Sequence, residues 1–169
     1  CSLEISLVNV IIDKSKIHHA DYPVLESALT YNIQRIENDS NGFMVFNDNT
    51  RKKLQEQLKK STAVVIGSGM GVTDDTKEIV RFVIENSFCP VIVDADGINC
   101  IASDIELLVN RKSEVILTPH PGEMGRLLNC DADAINENRI MVAEKYAEKH
   151  GVTVVLKGAG TIVSDKFNT

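Results

Sequence analysis

Short runs of consecutive apolar residues recur along the chain, and longer amphipathic stretches separate most of them. The apolar runs predict strands at residues 7–12, 62–66, 90–93, 115–118 and 153–156, with a further strand at 162–164. The amphipathic stretches predict helices at 50–60, 73–88, 103–109, 123–129 and 136–150. Because nearly continuous Val, Ile and Leu strands alternate with helices, the pattern predicts one α/β domain with a mostly parallel sheet covered on both faces.

Four of these strands are followed by polar or glycine-rich segments. The segments are GSGMG at 67–71, DADGIN at 94–99, TPHPGE at 118–123 and KGAGT at 157–161. In an open α/β sheet the carboxyl ends of parallel strands share one edge, and ligands bind in the crevice along that edge. The sequence therefore predicts a binding site built from all four segments.

The segment 118–123 is stiff because Pro119 and Pro121 lie on either side of His120. Each proline fixes its own φ and biases the preceding residue toward extended geometry. We therefore expect His120 to be held at a defined place in the site. Glu123 falls in the first turn of the following helix, where the helix dipole also favours a negative side chain for purely structural reasons.

The other three segments each allow a functional and a structural interpretation. GSGMG suits a tight turn, and the amides that open the next helix also suit an anion. On an extended backbone Asp94 and Asp96 would face the same way, which suits a metal, ribose hydroxyls or proton transfer, although an Asp here also caps helices. The cation, glycines and hydroxyl of 157–161 suit a phosphate-binding hairpin or a simple glycine turn.

Composition and charge narrow the class of protein. The chain has 169 residues, of which 43% are hydrophobic, and this suits one globular domain. Its net charge of -6 argues against nucleic acid as the main partner, and no apolar run is long enough to predict a membrane span. The four cysteines show no C-x-x-C pairing, which predicts free thiols in a reducing cytoplasm; they are Cys1, Cys89, Cys100 and Cys130.

The ordered set GSGMG, VDADGIN, LTPHPGEM and VVLKGAGTIV resembles the ADP- or ATP-dependent NAD(P)H-hydrate dehydratases of the ribokinase-like superfamily. The resemblance covers roughly residues 60–165. It implies a three-layer ribokinase-like fold and the repair of hydrated NAD(P)H (NAD(P)HX). In that reaction ADP or ATP phosphorylates the hydroxyl on the nicotinamide ring, and loss of phosphate regenerates NAD(P)H. Magnesium is implied as well, because phosphoryl transfer needs its charge neutralised.

The resemblance also implies roles for particular residues. It assigns the nucleotide phosphates to the hairpin residues Lys157, Gly158, Ala159, Gly160 and Thr161. It assigns the hydrated-dinucleotide site to Gly69, Gly71 and His120. Four further residues are candidates for substrate or magnesium-water contacts, with no protein residue expected as a direct metal ligand; they are Asp94, Asp96, Asn99 and Glu123. A homo-oligomer, a tetramer in the family, is implied too.

The chain departs from the family pattern at both ends. The family's catalytic base, an Asp in a later Gly-Asp pair, is expected beyond Thr169, and a first strand and helix are expected upstream of residue 1. Ser68 also stands where Pro is usual. We therefore expect these 169 residues to form a partial domain that does not turn over alone. Two alternatives stay open, a ribokinase-like kinase of a vitamin-precursor alcohol and a non-catalytic nucleotide-binding module.

Overall fold

The computed structural model describes Val8–Ile11, Asp39 and residues 43–167. Its strands are β1 (Val8–Ile11), β2 (Ala63–Ile66), β3 (Val91–Val93), β4 (Val115–Leu117), β5 (Thr153–Leu156) and β6 (Ile162–Ser164). Its α-helices are α1 (Asp48–Leu58), α2 (Asp74–Asn86), α3 (Asp96–Ser103), α4 (Pro121–Leu128), α5 (Ala132–Glu137) and α6 (Arg139–His150), and a 3₁₀ helix spans Ile105–Leu108.

The strands form one sheet in sequence order, from β1 to β6. Strands β1 to β5 are parallel to their neighbours, and β6 returns antiparallel to β5 as the second strand of a hairpin. This arrangement confirms the predicted mostly parallel α/β sheet. It also places the carboxyl ends of β2, β3, β4 and β5 on one edge, where the four polar segments begin.

Alternate residues along the strands differ in burial. One face of the sheet is buried and carries eight apolar side chains: Val64, Ile66, Val91, Val93, Val115, Leu117, Val154 and Leu156. The residues between them on the other face are only partly buried; they include Val65, Ile92, Ile116 and Val155. Parallel connections are right-handed, so strands added in one direction bring their helices to one face. Within the described residues, the helices therefore cover one face more completely than the other.

The prediction of a helix at 103–109 was wrong in its bounds. The chain forms α3 from Asp96, and the 3₁₀ helix follows after Asp104, whose side chain accepts a hydrogen bond from the Glu106 amide. The polar residues of DADGIN suggested a loop, but the buried side chains of Ile98 and Ile101 give α3 an apolar face. Burial of that face outweighs the loop tendency of the polar residues.

The single helix predicted at 136–150 was also wrong. Helix α5 ends at Glu137, and α6 begins after Asn138, whose φ of -136° and ψ of 36° are not helical. Asp131 caps α5, and Gly151 ends α6 in the left-handed conformation with φ 61°, as its position predicts. This break separates the two helices, and Arg139 becomes the first residue of α6.

Two predictions concern features outside the sheet. None of the described helices combines the length and the apolar character needed to cross a bilayer. The three described cysteines are free thiols, as predicted: Cys89, Cys100 and Cys130. Cys1, Thr169 and the ends of the first predicted strand lie outside the described residues.

Candidate functional site

The four polar segments are joined by side-chain hydrogen bonds at one edge of the sheet. Lys157, after β5, bonds to Asp94, after β3, and Thr118, after β4, bonds to the same carboxylate. Gly71, after β2, donates its amide hydrogen to Asp96. Residues far apart in sequence therefore meet at the place predicted for them.

Asp94 lies at the centre of this arrangement. Its Oδ1 atom accepts hydrogen bonds from Lys157 Nζ at 2.6 Å and from Thr118 Oγ1 at 2.7 Å. Burial raises the pKa of the Asp94 carboxyl, but the hydrogen bonds from Lys157 and Thr118 and the charge of Lys157 outweigh it, so the pKa lies below its usual range. Asp94 is therefore an anion at neutral pH.

Glu123 brings a second carboxylate to the same ammonium group. Its Oε2 atom lies 3.9 Å from Lys157 Nζ, and only 5% of the residue is exposed. A buried carboxylate needs hydrogen bonds and a counter-charge, and Glu123 obtains both here. We call Asp94, Thr118, His120, Glu123 and Lys157 the charged cluster.

His120 and Glu123 hold each other at the start of α4. His120 Nδ1 accepts hydrogen bonds from the amides of Gly122 at 3.0 Å and Glu123 at 3.3 Å, and Glu123 Oε2 accepts from the His120 amide at 2.8 Å. Pro121 occupies the first helical position, where its missing N–H costs nothing. Because Nδ1 is an acceptor, the ring hydrogen lies on Nε2, which is 3.3 Å from Glu123 Oε1. The stiff segment therefore fixes both the place and the tautomer of His120.

Asp96 and Asn99 form a separate arrangement beside the charged cluster. Asp96 Oδ2 accepts from the Gly71 amide at 2.8 Å, and Asn99 Nδ2 donates to Asp96 Oδ1 at 3.4 Å. Arg126 Nη1 donates to Asn99 Oδ1 at 3.1 Å. Asp96 thus fixes the glycine segment, and Arg126 is a charged neighbour that the sequence patterns did not single out.

The expectation that Asp94 and Asp96 face the same way was wrong. The backbone between them is not extended, because Ala95 has a φ of 48° and a ψ of -118° and Asp96 begins α3. A hydrogen bond from the Gly97 amide to the Asp94 carbonyl, at 3.0 Å, closes a tight turn. This turn sends the two carboxylates to different partners.

The glycine segment 67–71 packs closely against this turn. A Cβ atom on Gly67, whose φ is 125°, would lie 1.9 Å from the Asp94 carbonyl oxygen. Thr73 and Thr76 cap the start of α2 with their own side chains, and the Gly71 amide is already bonded to Asp96. These bonds favour the structural interpretation of the segment, and Gly69 remains partly exposed at the turn.

The loop between β5 and β6 is the open part of the site. Its residues Gly158, Ala159, Gly160 and Thr161 are exposed. Within the described residues, the amides of Gly158, Ala159 and Gly160 donate to no acceptor. The Thr161 hydroxyl donates to the Gly158 carbonyl at 3.3 Å, and the Lys157 amide donates to the Pro119 carbonyl at 2.8 Å. The loop therefore offers free amide hydrogens next to a lysine.

Sequence reasoning missed Arg139, whose side chain contacts the backbone of this loop. The correct start of α6 would have given a signal, because a cation at the first position of a helix is disfavoured by the helix dipole and calls for another explanation. The predicted single helix at 136–150 hid that position.

The carboxylates of the charged cluster are the residues that could hold Mg²⁺ at this edge of the sheet. Within the part of the chain that the structure describes, no group of three or more His, Cys, Asp or Glu side chains could hold a metal. Asp94 and Glu123 nevertheless approach one cation, the Lys157 ammonium group. Mg²⁺ keeps several waters and takes one or two carboxylates together with substrate phosphates. The residues therefore fit an ion that arrives with a nucleotide.

Comparison with known proteins gives consistent matches. A family model described as NAD(P)H-hydrate dehydratase matches residues 5–168. The bifunctional NAD(P)H-hydrate repair enzyme Nnr of Moorella thermoacetica is 37% identical over 111 residues, which cover 66% of this chain and 21% of that protein. The Escherichia coli enzyme of the same name is 38% identical over 115 residues, or 68% of this chain and 21% of that protein. The chain thus spans about a fifth of the length of these curated relatives.

Solved structures match as well. The ADP/ATP-dependent NAD(P)H-hydrate dehydratase of Bacillus subtilis, co-crystallised with ATP/Mg²⁺, matches with a TM-score of 0.57 and 29% identity over 71% of this chain and 42% of that chain. A hydroxyethylthiazole kinase of Pyrococcus horikoshii matches with a TM-score of 0.64 and 18% identity over 95% of this chain and 58% of that chain. The second match shows the fold alone.

Proposed function

Because the chain belongs to the NAD(P)H-hydrate dehydratase family, we propose that it forms the nucleotide- and substrate-binding edge of an enzyme that repairs NAD(P)HX. ADP or ATP transfers a phosphoryl group to the hydroxyl of the hydrated nicotinamide ring. The ring then loses phosphate, which is a far better leaving group than hydroxide, and NAD(P)H is regenerated. The free thiols support a reducing compartment such as the cytoplasm, the net charge of -6 argues against nucleic acid as a partner, and the family resemblance supports a homo-oligomer.

The observation that carries this proposal is the position of Lys157. Its ammonium group lies between two carboxylates, at 2.6 Å from Asp94 and 3.9 Å from Glu123. The unbonded amides of Gly158, Ala159 and Gly160 follow directly in the chain. A positive charge beside exposed amide hydrogens binds phosphate groups through charge-assisted hydrogen bonds. Lys157 and this loop would therefore hold the nucleotide phosphates.

His120 would contact the dinucleotide through a hydrogen-bond donor. Its Nδ1 atom is occupied by the amides of Gly122 and Glu123, and its Nε2–H faces Glu123 Oε1 at 3.3 Å, so a ligand acceptor at the half-exposed ring would share the Nε2–H donor with Glu123. We assign His120 to binding and orientation of the substrate, alongside the partly exposed Gly69, whereas Gly71, whose amide is bonded to Asp96, would shape the turn.

Asp94 and Glu123 would hold Mg²⁺ through its water ligands when nucleotide is bound. The ion neutralises phosphate charge during phosphoryl transfer. The low pKa of Asp94 supports this assignment, because the carboxylate stays ionised at the pH of the cytoplasm. Asp96 and Asn99 would act on the same edge indirectly, by fixing the Gly71 turn.

The test uses the complete natural protein with hydrated NADH, Mg²⁺ and either ADP or ATP, and follows the return of dihydronicotinamide absorbance. We expect recovery that depends on nucleotide and falls by roughly a hundredfold or more in K157A, since one anchoring charge in a phosphoryl-transfer site carries an effect of this order. K145A is the matched control, because Lys145 is an exposed lysine on α6.

Two His120 variants separate binding from folding. Both H120A and H120N lose the Nε2 donor, but Asn caps helices well and Ala does not. We expect both to lose activity while H120N keeps the wild-type melting temperature. Nucleotide turnover on a vitamin-precursor alcohol without NADH recovery would favour the kinase alternative. Nucleotide binding without any turnover would favour a non-catalytic module.

A further inference from the structure

Arg139 connects the first turn of α6 to the backbone of the loop between β5 and β6. Its Nη2 atom donates to the carbonyl oxygens of Leu156 and Gly160, each at 3.1 Å. Both terminal nitrogens also lie near the Lys157 carbonyl oxygen, at 3.4 and 3.5 Å. One guanidinium group therefore joins the two ends of the loop that carries Lys157.

The location of Arg139 has no local explanation within its helix. It is the first residue of α6, where the positive end of the helix dipole disfavours a cation. Asn138, which precedes it, makes no side-chain capping bond. Apart from a contact of 3.5 Å between Arg139 Nη1 and Asn136 Oδ1 at the end of α5, the contacts that offset this cost are tertiary, and they are made to the loop carbonyls.

These bonds decide which way the loop amides point. In a planar trans peptide the C=O and the following N–H point in opposite directions. Because the Leu156 carbonyl faces Arg139, the Lys157 amide points away, and it donates to the Pro119 carbonyl at 2.8 Å. The Lys157 carbonyl also faces Arg139, so the Gly158 amide points away too, and it meets no acceptor among the described residues.

Gly158 shows how closely the guanidinium approaches the loop. Its φ is 151°, and a Cβ atom there would lie 2.6 Å from Arg139 Nη1. Only glycine leaves room for this approach. The glycine that exposes its amide to a ligand therefore also admits the arginine on the opposite side.

We propose that Arg139 is a positioning residue that holds the carbonyls of Leu156, Lys157 and Gly160 on one side of the loop, so that the Gly158 amide, beside Lys157, faces the phosphate groups of a nucleoside di- or triphosphate. This role rests on the proposed function only in the identity of the ligand. It predicts that Arg139 affects phosphate binding without contacting phosphate.

The experiment compares wild type, R139K and K145M in the complete natural protein. Lysine keeps the charge but cannot bridge several carbonyls, whereas K145M removes an exposed charge elsewhere on α6. Calorimetry measures ADP and adenosine binding, and steady-state kinetics measure KM for nucleotide and for hydrated NADH. We expect R139K to weaken ADP binding and raise nucleotide KM roughly tenfold, with adenosine binding and the KM for hydrated NADH within about twofold of wild type.

The outcomes separate this inference from the proposed function. If wild type does not bind ADP, the proposed function fails. If wild type binds ADP and R139K binds it equally well, the function stands and the positioning role is refuted. Equal losses for ADP, adenosine and hydrated NADH would mean a general structural role and would also refute it. If R139K does not fold, R139Q, which keeps a planar donor, takes its place with the same expectations.

Discussion

Replacing Lys157 with methionine tests whether the charged cluster stabilises the folded protein. Methionine keeps most of the length and apolar character of the side chain but removes the ammonium group. Asp94 then keeps its burial and loses the hydrogen bond at 2.6 Å, and Glu123 loses a cation at 3.9 Å. The free energy of unfolding should fall, because a partly buried carboxylate is left without its counter-charge.

The size of the loss follows from the exposure of the pair. A hydrogen bond between charged groups contributes about 1.5–3 kcal/mol. The Lys157 side chain is 41% exposed and that of Asp94 is 30% exposed, so solvent screens part of this interaction. After that reduction we expect K157M to lose about 1–2 kcal/mol at neutral pH.

The shifted pKa of Asp94 also predicts how the loss of stability in K157M changes with pH. The folded-state pKa of Asp94 is lowered, so its ionisation contributes stability above the unfolded-state pKa of about 4, and that contribution is lost as the pH falls through the folded-state value. K157M removes the main cause of the lowering. The difference between wild type and K157M should therefore be largest near neutral pH and shrink in acid.

The measurement is urea unfolding followed by circular dichroism from neutral pH down to acid. K145M serves as the control for loss of an exposed lysine. D94N and the double variant D94N/K157M complete a cycle, in which the combined loss should be smaller than the sum of the single losses. A difference between wild type and K157M that is the same at every pH, or full additivity in the cycle, would refute the reasoning.

Three further substitutions test the packing around the site. Gly67→Ala places a Cβ 1.9 Å from the Asp94 carbonyl oxygen, and we expect a loss of about 2–4 kcal/mol in urea unfolding; a loss below about 1 would contradict the turn geometry. Ala95 has a φ of 48°, which is strained for alanine, so Ala95→Gly should relieve more strain than it costs in conformational entropy of the unfolded chain. We expect it to stabilise the protein by about 0.5–1 kcal/mol, and a lower melting temperature would argue against this. The Tyr146 hydroxyl is buried without a partner among the described residues, so Tyr146→Phe should be neutral or stabilising by up to about 1 kcal/mol; marked destabilisation would reveal a partner.

Much of the sheet could be predicted from the sequence, because its strands carry a local signal. Runs such as 62–66 and 153–156 are short and rich in Val and Ile, and the structure has β2 and β5 within one residue of them. The prediction that GSGMG, DADGIN, TPHPGE and KGAGT meet at the carboxyl edge of the sheet also agrees with the structure, because parallel strands bring the segments that follow them to one edge. The family match confirms the resemblance that these segments carry.

The helices around the site were predicted less well, because their bounds depend on burial. Asp96 and Gly97 indicate a loop by composition, yet they open α3, since Ile98 and Ile101 find a buried surface there. Asn138 interrupts an amphipathic stretch that reads as one helix, and its backbone leaves the helical region so that α5 and α6 both pack. Neither the buried surface that receives α3 nor the break at Asn138 has a local sequence signal.

The amino-acid sequence by itself determined the class of the fold, the order of the polar segments that follow the strands, and the residue types available at the candidate site. Only the tertiary structure decided which polar side chains form hydrogen bonds with each other. Asp94 and Lys157 are 63 positions apart, and nothing near either one selects the other. The same holds for the hydrogen bonds of Asp96 with Gly71 and of Arg139 with the loop carbonyls. Hydrogen bonds between distant segments form only where the register of the sheet brings the segments together. The residues that neighbour a polar side chain in the sequence do not show whether that side chain caps a helix, packs against another segment or binds a ligand.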